Sequence, residues 1–145
     1  MRSLSTAPRK KTIQQLAKEI NLKNKPVLVR ADLNLPRSKE DGNITDDTRA
    51  RAVVPTVKFL LKQGAKVILC THAGRPKGEV VESMRIGNIG GCVGELLDEA
   101  VACPIDCVGE KVEAQAATAE CVVLLENVRF HKGETKNDPT FAEQV

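Results

Sequence analysis

The chain contains no tryptophan and no tyrosine, and three phenylalanines make up its aromatic content. Sequence-tolerant binders of single-stranded nucleic acid stack bases on aromatic rings, so this shortage removes that class, and no Lys/Arg stripe favours a duplex binder. No apolar run approaches the roughly 20 residues of a membrane-spanning helix, and the N-terminus lacks the apolar core of a secretory signal. Five cysteines, Cys70, Cys92, Cys103, Cys107 and Cys121, are an odd number with no C-x-x-C pair among them. Neither a disulfide framework nor a zinc site is therefore expected, and a reducing cytoplasm fits best. Charge of neither sign dominates. A net charge of +3 permits an anionic partner without demanding one, and much of the excess sits in the opening MRSLSTAPRKK, which reads as a flexible tail. Its Arg/Ser/Lys character also leaves room for the remnant of an organelle-targeting segment.

What is present is alternation. With 145 residues, 41% hydrophobic and 28% charged, the chain has the composition of one domain that buries roughly two thirds of its unfolded surface. KPVLVRA, KVILC and CVVLLE are short Val/Leu/Ile runs without polar alternation, the pattern of strands buried on both faces. Helical patterns lie between them. Ala50, Val53, Val54, Val57, Leu60 and Leu61 recur at helical spacing, with Asp46 and Asp47 as cap candidates and Gly64 as the stop. Pro55 inside this helix should remove one hydrogen bond and kink it. An initial helix is expected at TIQQLAKEI, others at GELLDEA and GEKVEAQAATAE, with a weak strand at PIDC. The expected fold class is α/β, a doubly wound, Rossmann-like parallel sheet. At the end of the chain, Asp138 and then Pro139 at the first helical position open a helix that runs about two turns before the sequence stops, which reads as a truncated chain.

In an open parallel sheet, ligands bind beyond the carboxyl ends of the strands. Here those ends carry Arg30, Asp32 and Asn34 in RADLNLP, His72 and Arg75 in THAGRP, and Arg129 and His131 in ENVRFH. Any one of these alone reads more readily as a solvated loop charge; three strand ends alike shift the balance. Arg49 starts the first crossover helix on the same side, where a cation opposes the helix dipole at a cost of up to ~1 kcal/mol unless an anion is near. Asp46 and Asp47 offer a simpler neutralisation. Guanidinium forks suit phosphate and carboxylate, so Arg49, Arg75 and Arg129 with His72 describe a pocket for a small, multiply anionic ligand. Asp32 and Asn34 suit the orientation of a hydroxyl, Gly74 lets the chain turn, and Pro76 stiffens the loop. GNIGGCVG does not fit G-x-G-x-x-G and follows no strand, so it reads as a loop or loose helix start; GETKND lacks the G-K-[ST] of a phosphate loop. Cys103 and Cys107 read as core filling, and His131 as structural or as approaching the pocket.

Six ordered segments, VLVRADLNLP, ITDDTRARAVVPTVKFLL, AKVILCTHAGRPKG, DCVGEKVEA, VVLLENVRFHKGE and KNDPTFAEQ, resemble the amino-terminal part of the phosphoglycerate kinase family. The chain departs at Thr71-His72-Ala73-Gly74-Arg75-Pro76, where the family usually has Ser-His-Leu-Gly-Arg-Pro, and in the glycine-rich segment before GELL. The resemblance implies a two-domain, monomeric, cytoplasmic or plastid enzyme of glycolysis or carbon fixation. It would transfer a phosphoryl group between 1,3-bisphosphoglycerate and ADP, giving 3-phosphoglycerate and ATP. Residues 1–24 would be tail and initial helix, and 25–145 an incomplete phosphoglycerate-binding domain. Mg2+ with ATP or ADP would bind a carboxyl-terminal domain that this chain lacks, so the chain alone would be inactive; no metal ligand is expected in it. By motif, Arg49 would be catalytic, and Ala31, Asp32, Leu33, Asn34, Arg49, Thr71, His72, Gly74, Arg75, Val128 and Arg129 would contact substrate. The competing expectation is a stand-alone anion-binding module without catalysis.

Overall fold

A computed structural model describes residues 10–120 and 122–145; most of the expected tail, and Cys121 at the start of the third apolar run, lie outside the described residues. The first helix, α1 (Ile13–Glu19), opens on a reciprocal capping box. Thr12 Oγ1 accepts from the Gln15 N–H at 3.2 Å, and Gln15 Oε1 accepts from the Thr12 N–H at 3.0 Å, which satisfies two backbone donors at the helix start. Leu22 follows it into the core.

Strand β1 (Pro26–Arg30) leads to α2 (Thr48–Lys62), then β2 (Lys66–Cys70) and α3 (Gly87–Leu97). After these come β3 (Val101–Ala102), α4 (Glu110–Thr118) and β4 (Val122–Leu124), and the short helices α5 (Lys132–Lys136) and α6 (Pro139–Gln144) close the chain. Of the two cap candidates on α2, Asp46 accepts from the Thr48 N–H at 2.8 Å, whereas Asp47 pairs with Arg51 one turn on. Asp138 caps α6 through the Phe141 N–H at 3.0 Å, with Pro139 next to it as the sequence implies.

The four strands form a parallel sheet in the order β1-β2-β4-β3. The chain steps outward from β1 to β2 to β3 and then reverses, placing β4 between β2 and β3. Right-handed crossovers force such a reversal to carry its helix across to the other face. The packing agrees. Val67, Leu69, Val122 and Leu124 point to the face covered by α2 and α3, where Ala50, Val57, Leu60, Ile89, Val93 and Leu97 meet them. Ile68, Cys70, Val123 and Leu125 point the other way, against Val112 of α4 and Phe141 of α6. The sheet is thus doubly wound, and each fully buried Leu, Ile or Val contributes about 1.5–3 kcal/mol by leaving water.

Two expectations about the middle of the chain are corrected. The helix expected at GELLDEA starts seven residues earlier, at Gly87, and ends at Leu97 because Asp98 turns left-handed (φ 58°). Its glycines are used for close approach: a Cβ on Gly90 would come within 2.3 Å of Cys103 Sγ, and one on Gly94 within 3.0 Å of the Glu99 carbonyl. Tertiary contact outweighs the helix cost of glycine, about 1 kcal/mol per residue. The strand expected at PIDC lies instead at Val101–Ala102. Pro104 has no N–H to give a ladder, and Ile105 is turned out to solvent.

Candidate functional site

The loops leaving β1, β2 and β4 meet at the carboxyl edge of the sheet and are cross-tied there. The Ala31 N–H continues the β1–β2 ladder to the Cys70 carbonyl at 3.0 Å, and the Leu33 N–H donates to the buried Thr71 hydroxyl at 3.0 Å. Asn34 Oδ1 accepts from the Gly74 N–H at 3.1 Å. Asn127, fully buried, accepts through Oδ1 from the Ala73 and Arg129 N–H groups at 3.2 and 3.1 Å, and donates through Nδ2 to the Ala73 and Met84 carbonyls at 2.8 and 3.1 Å. Beside it, buried Glu126 accepts from Arg85 Nη1 at 3.0 Å and from the Ile86 N–H at 3.2 Å. Ala31, Leu33, Thr71 and Val128 are therefore buried positions that set the loops.

The charged residues fall into two groups joined through Gly74. In the first, Arg49, the second residue of α2, reaches back with Nη1 to the Asn34 carbonyl at 2.8 Å and to Asp32 Oδ1 at 3.4 Å. That contact offsets the dipole cost expected of a cation there. In the second group, Arg129 donates to the Gly74 carbonyl at 3.1 Å, and its Nε lies 3.3 Å from Glu134, which also receives Arg30 at 3.5 Å. Arg30 Nη2 donates to His72 Nδ1 at 3.3 Å. Burial, with Arg129 and Arg30 nearby, holds the imidazole below its usual range, consistent with a neutral ring whose Nδ1 is the acceptor.

Beyond Arg129 opens a cleft of about 470 Å3 lined by Arg75, Lys77, Arg129, Lys132, Thr135 and Lys136. Among the described residues, Arg75, Lys77, Lys132 and Lys136 have no ion-pair partner. The loop that brings Arg75 and Lys77 here depends on Gly78, left-handed at φ 79°, whose N–H donates to the Arg129 carbonyl at 3.1 Å. A Cβ on Gly78 would stand 2.2 Å from Lys132 Cγ and 3.1 Å from its Cα, so only glycine fits. A larger groove of about 890 Å3 elsewhere carries Asp46, Asp47 and Glu95 and no cation, so it suits no anion.

Arg75 and Arg129 are where the strand-end pattern places them, whereas Lys77, Lys132, Lys136 and Glu134 join the site outside that pattern. Lys132 and Lys136 reach the cleft only because α5 folds under the β2 loop that carries Lys77. GETKND, which lacks a phosphate-loop pattern, supplies most of that helix. Lys77, two residues after Arg75, and Lys132, three after Arg129, were the available signal.

A parallel, doubly wound sheet with a cationic cleft at its carboxyl edge defines a class: α/β proteins with an open parallel sheet, whose ligand sites lie beyond the strand ends. Within that class the chain belongs to the phosphoglycerate kinase family, whose model matches residues 17–145. The phosphoglycerate kinase of Acaryochloris marina is 52% identical over 138 residues, covering 94% of this chain and 34% of that protein. The chloroplastic phosphoglycerate kinase of Volvox carteri is 48% identical, covering 94% of this chain and 30% of its own length. Among solved structures, phosphoglycerate kinase from Pyrococcus horikoshii superposes with a TM-score of 0.73 at 36% identity over 84% of this chain and 30% of that one. The enzyme from Coxiella burnetii gives 0.71 at 29% identity over 87% and 31%. The chain thus spans about a third of the length of the relatives it matches.

Proposed function

We propose that this chain is the phosphoglycerate-binding part of a phosphoglycerate kinase, acting in the cytoplasm or a plastid. The observation that supports this is the meeting of Arg30, His72, Arg75 and Arg129 at three adjacent strand ends, beside a cleft in which four cations have no ion-pair partner among the described residues. In this reading Arg75, Arg129 and the lysines receive the substrate's phosphate, and Asp32 and Asn34 orient its hydroxyl. Arg49 leaves Asp32 to stabilise charge on the phosphoryl group in flight between 1,3-bisphosphoglycerate and ADP. Positioning and positive charge supply most of the catalysis in such transfers.

Mg2+ takes oxygen ligands, mainly carboxylate and phosphate. The cleft offers five cations and one threonine, a donor set that repels a bare metal ion. Mg2+ and the adenine nucleotide are therefore not assigned to this cleft, and no step here runs through them.

The test is calorimetric titration of 3-phosphoglycerate into the purified chain and into an Arg75→Ala variant. One charge-assisted contact is worth about 1.5–3 kcal/mol, so the variant should bind at least about tenfold more weakly. Binding no tighter than that of inorganic sulfate, or equal in parent and variant, would overturn the assignment. In the complete enzyme Arg49→Ala should lower kcat with little change in folding stability, and a full kcat would remove Arg49 from the mechanism.

A further inference from the structure

Away from the cationic cleft, the loop after β3 and the turn after β4 bring together three side chains with complementary metal-binding chemistry. One ligand atom each from Asp106, Cys107 and His131 lies within 4.8 Å of the other two. The spacing rules that exclude a zinc site in the sequence look for local pairs; this set joins two residues to a third 24 positions on, so only the fold reveals it. We propose that Asp106, Cys107 and His131 form a binding site for a zinc-class divalent transition-metal ion.

Carboxylate oxygen, thiolate sulfur and imidazole nitrogen are the three donor types zinc accepts, at roughly 2.0–2.3 Å. Donors around one tetrahedral ion then stand roughly 3.3–3.8 Å apart, so the longest separation must shorten by about 1–1.5 Å at most while the His131–Asp106 pair, 2.7 Å apart, opens by about 0.6 Å or more, both within reach of side-chain rotation. The thiol discriminates against Mg2+ and Ca2+, which prefer oxygen alone. Two of the donors are held in place by their surroundings. Asp106 Oδ1 accepts from the Cys107 N–H at 2.7 Å, and the Asp106 carbonyl accepts from the Glu126 N–H at 3.4 Å. The His131 ring stacks on Phe141 with centroids 5.2 Å apart.

His131 Nε2 and Asp106 Oδ1 are 2.7 Å apart. The ion enters between them and replaces their hydrogen bond; the Nε2 proton that bridges to Asp106 is given up to solvent while Nδ1 takes one up, so that the neutral ring binds the ion through Nε2. Cys107 closes the inner side, losing its thiol proton to solvent as the sulfur–metal bond forms. The Asp106 and His131 side chains are 46% and 32% exposed, so water can reach the ion and complete the tetrahedron. Bound metal would tie the β3–α4 loop to the turn Val128–Phe130, which carries Arg129, and would so bear on the rim of the anion cleft.

The experiment is titration of the purified, reduced protein with Co2+, followed by the near-ultraviolet thiolate-to-cobalt charge-transfer band, and then by Zn2+ displacement. One equivalent of Co2+ should develop the band, and one of Zn2+ should remove it. Cys107→Ser should abolish it, while Cys92→Ser leaves it unchanged. Loss of even an outer-shell partner costs roughly 10–100-fold in affinity, so Asp106→Asn and His131→Asn should each weaken Co2+ binding about 100-fold or more. Because those two side chains are partly exposed, their variants test the site even if Cys107→Ser does not fold. No band at millimolar Co2+, or a band indifferent to His131→Asn, would overturn the proposal.

Discussion

Asn127 uses every hydrogen-bonding position of its side-chain amide, joining Ala73, Met84 and Arg129 in the interior of the site. Asn127→Leu keeps the volume and removes all four bonds, stranding buried backbone groups that cost about 1–3 kcal/mol each. The expected loss is at least about 3 kcal/mol, read as a lowered urea midpoint at unchanged slope; a loss under 1 kcal/mol would mean the loops hold themselves. His72 gives a pH-dependent prediction. Burial and the two arginines lower its folded pKa from the ordinary 6.5, so between the two values the unfolded chain binds more protons than the folded one. Its contribution is fully present above 6.5 and is lost as pH falls through the folded value. Stability measured from pH 7.5 down to 5 should therefore fall more steeply in the parent than in His72→Gln, and parallel curves would contradict it.

At the scale of the element, α3 separates two glycines that a sequence treats alike. Gly91 has nothing within 4 Å of a Cβ, whereas Gly90 faces Cys103 Sγ at 2.3 Å. Gly91→Ala should stabilise by about 0.5–1 kcal/mol through helix propensity. Gly90→Ala should destabilise despite the same gain, and Cys103→Ala in that background should recover part of the loss. Thermal unfolding of the set checks this, and equal shifts for the two glycines would refute close packing. The same helix shows where the sequence is legible. β2 and β4 can be read because a strand buried on both faces must be apolar without alternation, and α2 because its apolar stripe repeats at helical spacing. β1 shows the same apolar run, but as an edge strand it is not buried on both faces as expected, and Leu28 is half exposed. The start of α3 is hidden because its glycines are chosen for a neighbour strand, which local propensity does not register. β3 is hidden because two residues are too few to form a pattern. In the candidate site, the strand-end arginines are legible from the rule for parallel sheets, whereas Lys132 and Lys136 enter only through the tertiary placement of α5.

For the whole molecule the distribution of charge matters more than its sum. A net +3 is a weak field, yet Arg75, Lys77, Arg129, Lys132 and Lys136 line one cleft, while the carboxylates Asp46, Asp47 and Glu95 line another groove. Clefts of one sign attract the opposite ion at short range, and that attraction is screened within about 10 Å at 0.1 M salt and about 3 Å at 1 M. The folding core is apolar and is far less sensitive to such screening. An anionic ligand that binds only the folded state stabilises it by about 2.7 kcal/mol at 100 times its Kd. We expect 3-phosphoglycerate to raise the melting temperature at low salt and to lose most of that effect in 0.5 M NaCl, while the ligand-free melting temperature changes little. Lys132→Gln with Lys136→Gln, both exposed, should halve the salt dependence and leave the ligand-free protein as stable as before. A ligand shift that survives high salt would point to neutral contacts in place of the cationic cleft. A shift absent at every salt concentration would take phosphoglycerate out of the cleft altogether.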